Sequence, residues 1–316
     1  MTYSFTIQCT NDKIWNRLDL IKFLTSSQNK HIELRINPEA IDLAQLGIYD
    51  LLDCFNFASV NIFTENPLET SSKYKISIKK QNKFLEPHNL TTAHSNLHNW
   101  NLQKTFLACY GRPTANRLGL ASYLDSHYAD RSLLHFSGGH NVDNINLYEL
   151  DKLAELRLES VSDAVKLIHK MPVMITTNTK YDHSFYHFED PLTECYKNIL
   201  IDIVSESHVL GNTFYITEKT TRPMCLKKPF IIYGPRNYLV YLRQVGFRTF
   251  SDFWSEDYDG YEGRDRFIKI LELIDNLAKL PINELEKMYW EMQYSLEHNY
   301  NLLSSQSYTT DITYIP

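Results

Sequence analysis

The stretch FYITEKTTRPMCLKKPFIIYG, Phe214 to Gly234, sets charges of both signs between two runs that read as buried. Its opening residues are aromatic and β-branched. Thr217, Glu218, Lys219, Thr220, Thr221 and Arg222 follow, and Pro229 to Tyr233 is apolar again before a Gly-Pro pair. This pattern predicts a strand or turn that enters a helix near Thr217, then a short buried strand over PFIIYG. Strand, helix and strand in succession make the repeating unit of an α/β layer fold.

The same rhythm extends both ways. Upstream, YKNILIDIVSES reads as an apolar strand with a polar tip, KTFLACYG as a strand, and RPTANRLGLASYLDSHYA as a helix burying Leu118, Leu120, Tyr123 and Leu124. Between them SLLHFSGGHN gives a strand and glycine turn, DKLAELRLESVSDAVKLIHKMP one helix, and VMITTN an extended segment. Downstream, RNYLVYLRQVG is a helix stopped by Gly246, FRTF an edge strand, and GRDRFIKILELIDNLAKL a helix. INELEKMYWEMQYSLEHNYNLL, with Leu285, Met288, Tyr289, Met292 and Leu296 on one face, is a final long helix.

Near the N-terminus, YSFTIQC, HIELRIN, SVNIFT and YKISIKK read as strands. KIWNRLDLIKFLTSS is a helix with Ile14, Leu18, Ile21 and Leu24 at helical spacing, and PEAIDLAQLGIYDLLDCF is helical or turn-rich. Residues 81–103 are polar, rich in Asn and His, and poorly periodic, which marks a connector. The expected architecture is α/β, with two Rossmann-like domains facing a cleft: residues 1–80, a connector 81–103, a nucleotide-binding domain 104–300 and a tail 301–316. The C-terminal helix is expected to pack across the domains.

With 316 residues, 43% hydrophobic and 22% charged, the chain has the composition of a soluble globular protein. A formal net charge of −6 argues against bulk electrostatic binding of a phosphate backbone. Five scattered cysteines, Cys9, Cys54, Cys109, Cys195 and Cys225, suggest neither a disulfide framework nor a metal cluster and read as reduced core residues. MTYSFTIQCTNDKIW lacks a basic segment followed by an apolar stretch, and no run approaches the length of a membrane span, so a cytoplasmic location is expected.

Residues just past the strands' carboxyl ends face the ligand crevice of such folds, and the first turn of the next helix offers N–H groups to anions. Arg112 and Arg117 follow TFLACYG, Glu206 and His208 follow LIDIVSES, and Thr217, Glu218, Lys219 and Arg222 follow FYI. Cations at a helix start oppose the helix dipole unless an anion sits among them. Lys219 and Arg222 beside three threonines therefore suit a phosphate seat, and Glu218 suits a ribose diol. A solvated first turn with a Glu218–Arg222 ion pair at helical spacing accounts for the same residues equally well.

The segment DIVSESHVLGNTFYITEKTTRPMCLKKPFIIYG resembles the donor-binding motif of fucosyltransferases and related GT-B glycosyltransferases: an acidic strand end, a Thr-Glu-Lys helix start, and a Pro-containing strand ending in Gly. FLACYGRPTANRLGLASYLDSH is similar to the strand, loop and Arg-bearing helix that open the nucleotide-binding domain of that group. The resemblance covers roughly residues 104–250. It implies a nucleotide-sugar donor held by the second domain, with Glu218 on the ribose, Lys219 on the diphosphate and Arg117 on a phosphate oxygen. Arg222 is added on geometry alone, one turn from Glu218. Transfer would release a nucleoside diphosphate, whose developing charge cations stabilise. No DxD-type element stands where a donor metal would need it, so neither metal nor other cofactor is expected.

A base for an inverting reaction should come from the first domain. Glu39, at the end of HIELRIN after a proline, is the candidate, and Glu65 in IFTENPLE is placed equivalently. His88, His94 and His98 lack the carboxylates or cysteines of a metal set and read as loop residues, and FSGGHN is too short for a dinucleotide fingerprint. SDFWSEDYDGYEGRDRF reads as a surface loop leading into a helix, and packing accounts for the 21 Tyr and 16 Phe. The acceptor is left open among a glycan, a lipid-linked saccharide, a protein and a modified DNA base. A non-catalytic nucleotide- or glycan-binding protein is the alternative, and a phosphoryl-transfer enzyme lacks its GxxxxGK[ST] loop.

Overall fold

In the computed structural model, the described residues are 2–10, 13–37, 40–79, 100–136, 147–173, 175, 195–305 and 312–313. The chain divides into two units. The first comprises Met1–Lys83 with His208–Tyr215 and Thr309–Pro316, and the second Phe84–Ser207 with Ile216–Tyr308.

In the first unit, strands β1 (Thr2–Thr10), β2 (Lys13–Ile14), β3 (His31–Asn37), β4 (Ser59–Thr64) and β5 (Lys75–Ile78) form a sheet in the order β2-β1-β3-β4-β5. It is parallel except where β2 runs back along β1. Alternation in HIELRIN is realised directly: Ile32, Leu34 and Ile36 are buried while His31, Arg35 and Asn37 face outward. These side chains pack with Leu20 and Leu24 of α1 (Arg17–Ser26) and Ile48 and Leu52 of α2 (Ile48–Asp53) in one core.

The helix expected from Lys13 begins instead at Arg17. Asn16 accepts from the Gln8 N–H at 2.9 Å and donates to the Thr6 carbonyl at 2.8 Å. Its side chain thus stands in for a strand neighbour and holds Lys13–Ile14 as a hairpin arm. The buried helix face shifts accordingly, to Leu20 and Leu24, and Leu18 is left 74% exposed.

The second unit is built on β6 (Phe106–Tyr110), β7 (Ser132–Phe136), β8 (Ile201–Ser205) and β9 (Phe230–Tyr233), all parallel, in the order β7-β6-β8-β9. Every residue of β6, β8 and β9 is buried, as expected of a parallel sheet covered on both faces. The covering helices are α3 (Ala115–His127), α4 (Leu147–Arg157), α5 (Glu159–Lys170), α6 (Glu218–Cys225), α7 (Tyr238–Val245), α8 (Gly263–Lys279), α9 (Ile282–Glu291) and α10 (Gln293–Ser305). At Gly119 a Cβ would lie 2.6 Å from Phe267 and 2.7 Å from Leu153, so α3 approaches α8 and α4 more closely than a larger residue permits.

From β6 the chain moves outward to β7 and then returns across β6 to β8. The order therefore reverses between β6 and β8, and in doubly wound sheets that reversal opens the ligand crevice at the strands' carboxyl ends.

Several elements differ from expectation. Phe214, Tyr215 and Ile216 are buried but belong to no strand, and α6 starts at Glu218. FRTF is no strand either, because the Asn299 side chain satisfies the backbone of Arg248 on both sides, accepting from its N–H at 2.7 Å and donating to its carbonyl at 2.9 Å. The helix expected over 151–172 breaks at the exposed Leu158, and the last long helix breaks at Met292, where α9 ends and α10 begins. α10 packs on α6 within the second unit. Of VMITTN, Val173 bridges antiparallel to Phe136, while Met174 and Thr176–Asn178 lie outside the described residues. His88, His94, His98, most of the connector and Ser137–Asn141 of the glycine turn also lie outside them. Cys54 is exposed, contrary to its expected place in a core; the other four cysteines are buried.

Candidate site at the carboxyl edge of the second sheet

The first wall of the β6–β8 reversal is the start of α3. Asn116 donates to the Ser205 hydroxyl at 2.6 Å. Buried Arg117 donates to the carbonyls of Ser205 and Glu206 at 3.1 and 3.3 Å. Arg117 therefore grips the end of β8 from the β6 side. Burial holds its guanidinium below the ordinary arginine value. Arg112, past the end of β6, is exposed. The N–H of Ala115 at the head of α3 donates to Glu149 of α4 at 2.7 Å, so a protein carboxylate already caps this helix.

The second wall is the start of α6. Thr217 is its N-cap, accepting from the Lys219 N–H at 3.1 Å and donating to Glu206 at 2.6 Å. Glu206 is 2% exposed and also accepts from Thr220 at 2.6 Å and Tyr238 at 3.1 Å. A carboxylate at a helix N-terminus is favoured by the helix dipole. Both helix starts at this edge are thus occupied by the protein's own acids. The Ala115 N–H at the head of α3 and the Lys219 N–H in the first turn of α6 are thereby engaged within the protein, and side-chain cations stand beside both helix starts.

Lys219 is the best placed of these. Its Nζ lies 2.5 Å from Glu218 and 3.3 Å from the Ser207 hydroxyl. The two charged side chains are 21% and 24% exposed, far less than in a solvated first turn. Burial works to raise the Glu218 carboxyl, but the adjacent Lys219 charge and hydrogen bond overcome it and hold the group below its ordinary value.

Arg222 turns the other way. Its Nε donates to the Tyr196 hydroxyl, its guanidinium lies 3.5 Å from Asp202 near the start of β8, and the Cys109 sulfur accepts at 3.8 Å. Tyr196 in turn donates to Asp202. Asp202 is fully buried, so this is a core ion pair. Arg222 thus forms its ion pair with Asp202, and Glu218 pairs with Lys219 in place of the Glu218–Arg222 pair at helical spacing. One turn along a short helix is enough to carry the side chain from the sheet's edge to its interior.

The structure thus gathers Glu206, Thr217, Glu218 and Lys219 at one helix start, with Arg117 on the same strand end and Arg112 beyond β6. Glu39 lies outside the described residues, and Glu65 is half-buried immediately after β4. Sequence reasoning missed Asn116, Ser207 and Tyr238. Ser207 was legible as the neighbour of Glu206 in SES; Tyr238 carried no signal, since α7 brings it to Glu206 from across β9. Elsewhere in the first unit, Glu69 accepts from the Leu43 N–H and from Tyr49, and Asp42 from the N–H groups of Gln45 and Asn212, so these buried acids serve the backbone of loops. Among the described residues, no group of three His, Cys, Asp or Glu is placed to hold a metal ion, and no helix is long and apolar enough to cross a membrane.

No protein-family model matches the sequence, and no curated protein matches it. A crystal structure of an α1,3-fucosyltransferase aligns over 93% of this chain and 81% of its own, with 12% identity and a TM-score of 0.33. A likeness that slight carries no argument, so the case for a chemistry lies in the residues themselves.

Proposed function

We propose that this protein is a glycosyltransferase of GT-B type that moves a sugar from a nucleotide-sugar donor to an acceptor hydroxyl. The carrying observation is the half-buried Glu218–Lys219 pair at the head of α6, beside the strand-order reversal of a parallel sheet. A mutually paired acid and base held there suit a ligand with a diol at one end and a diphosphate at the other. Glu218 accepts from the ribose hydroxyls, and Lys219 meets the diphosphate and stabilises the charge that grows on it as the sugar leaves. Arg112 supplies a second cation from the end of β6. Arg117 adds positive charge beneath the crossover while fixing the end of β8. The cations do the work that a donor metal would otherwise do. Glu39 or Glu65, each following a strand of the first sheet, takes the acceptor proton.

A thermal-shift series with GDP, UDP, ADP and CDP tests the donor half, since a ligand of the folded state at 100 times its Kd raises stability by about 2.7 kcal/mol. One nucleotide is expected to stand out, and its sugar conjugate to be consumed when glycan, lipid-linked, protein and DNA acceptors are supplied in turn. In that assay Glu39→Gln or Glu65→Gln should depress turnover while leaving nucleotide affinity unchanged. Binding of none of the four by the wild type removes the proposal; binding without turnover on any acceptor leaves a nucleotide-binding protein.

A further inference from the structure

Glu206 is the most enclosed charged group at this edge, and its four hydrogen-bond donors come from successive parts of the sheet's rim. Its Oε2 accepts from the Thr217 hydroxyl at 2.6 Å and the Ser207 N–H at 3.3 Å; its Oε1 accepts from the hydroxyls of Thr220 at 2.6 Å and Tyr238 at 3.1 Å. An ionised carboxylate only accepts, so the Thr217 and Thr220 hydroxyls turn their protons inward, and the Tyr238 hydroxyl is shared between Glu206 at 3.1 Å and the Thr220 oxygen at 3.3 Å. That leaves a lone pair of Thr217 directed at the Lys219 N–H, which it accepts at 3.1 Å. The carboxylate thereby determines both the polarity of the two threonine hydroxyls and the seat of the turn that carries Glu218 and Lys219.

We infer that Glu206, expected from the sequence to touch the donor, is instead a positioning residue that acts through Thr217 and Thr220 to hold Lys219 at the nucleotide diphosphate. This rests on the donor site proposed for Glu218 and Lys219. Glu206→Gln is the informative change, because it keeps the shape and replaces one acceptor by a donor. The new N–H competes for the Thr217 oxygen, and the bond to the Lys219 N–H loosens.

Two measurements decide it. In hydrogen exchange without ligand, the Lys219 amide of Glu206→Gln should exchange at least tenfold faster than in the wild type, while amides of β6 keep their protection. Unchanged exchange overturns the inference whether or not any nucleotide binds. In calorimetry with whichever of GDP, UDP, ADP or CDP binds the wild type, Glu206→Gln should weaken affinity about tenfold alone and not at all in a Lys219→Ala background, because coupled residues give non-additive losses. Losses that add would make Glu206 a direct ligand, and a lowered melting temperature with unchanged affinity would make it a purely structural residue; either overturns the inference. Absence of nucleotide binding by the wild type would instead defeat the donor-site proposal, and the exchange measurement would still decide whether Glu206 holds the turn. Should Glu206→Gln not fold, Thr217→Ala deletes the relaying hydroxyl, and the same exchange and affinity changes are expected of it.

Discussion

The second sheet carries charge at both ends, and the two ends treat it in opposite ways. At the carboxyl edge, Glu218 and Lys219 pair with each other and stay about a fifth to a quarter exposed. Below α6, Asp202 and Arg222 pair inside the core with Tyr196, and Lys228, just before β9, is fully buried against the ring of Tyr289. Charge sealed away from water matters to stability. Charge left half-open at a strand-order reversal matters to a ligand.

The comparison breaks most sharply at Asp202. Asp202→Ala strands Arg222 as an unpaired buried cation and should cost about 3–5 kcal/mol, read as a lowered urea midpoint. A loss under 1 kcal/mol would mean that water reaches the pair. Lys228 tests the same end with opposite sign. Burial lowers its amine from 10.5 to about 7. Below pH 7 both folded and unfolded chains carry the proton, and the burial cost is fully present. Between about pH 7 and the ordinary lysine range only the unfolded chain holds it, so this residue's contribution to stability rises with pH. Lys228→Met should stabilise the protein at pH 6.5 by about 1–4 kcal/mol and flatten that rise. A variant no more stable than the wild type would show that the ammonium is well compensated where it lies.

At the open edge, Lys219→Ala should reduce nucleoside diphosphate affinity by about 1.5–3 kcal/mol, the worth of a hydrogen bond to a charged group. It should change stability, read from urea unfolding, by less than about 1 kcal/mol, because both side chains keep some contact with water. If stability falls as far as in Asp202→Ala, the two ends do not differ and the edge pair is structural. An effect smaller than the affinity loss of Lys219→Ala is expected at the boundary between them: Thr217→Ala removes the N-cap of α6 and should cost about 1 kcal/mol of stability. Calorimetry on all four variants at one pH would place them on a single scale.

Much of this molecule is legible from local pattern. HIELRIN alternates because one face of β3 is packed and the other is not, and IDIVS and FIIY are continuously apolar because parallel strands are covered on both sides. Thr217 is recognisable as an N-cap, which places Glu218 and Lys219 in the first turn of α6. Local pattern fails where a side chain replaces a backbone partner. Asn16 and Asn299 each occupy the hydrogen-bonding positions of a missing strand, and nothing near either residue in sequence announces it. The partners of Arg222 are hidden from local pattern for a related reason. Asp202 and Tyr196 lie 20 and 26 residues away, and only the placement of α6 against β8 brings them together.

The sequence by itself determined the α/β class, the parallel character of the second sheet, and the Thr-Glu-Lys helix start, since each depends on periodicity and capping within a few residues. Tertiary structure alone decided which charges face outward. It buried Arg222 on Asp202, enclosed Glu206 in hydroxyls from two helices, and left Lys219 and Glu218 at the rim. The physical reason is that the state of a charge depends on its distance from water and from its counter-charge. Both are set by how strands and helices stack.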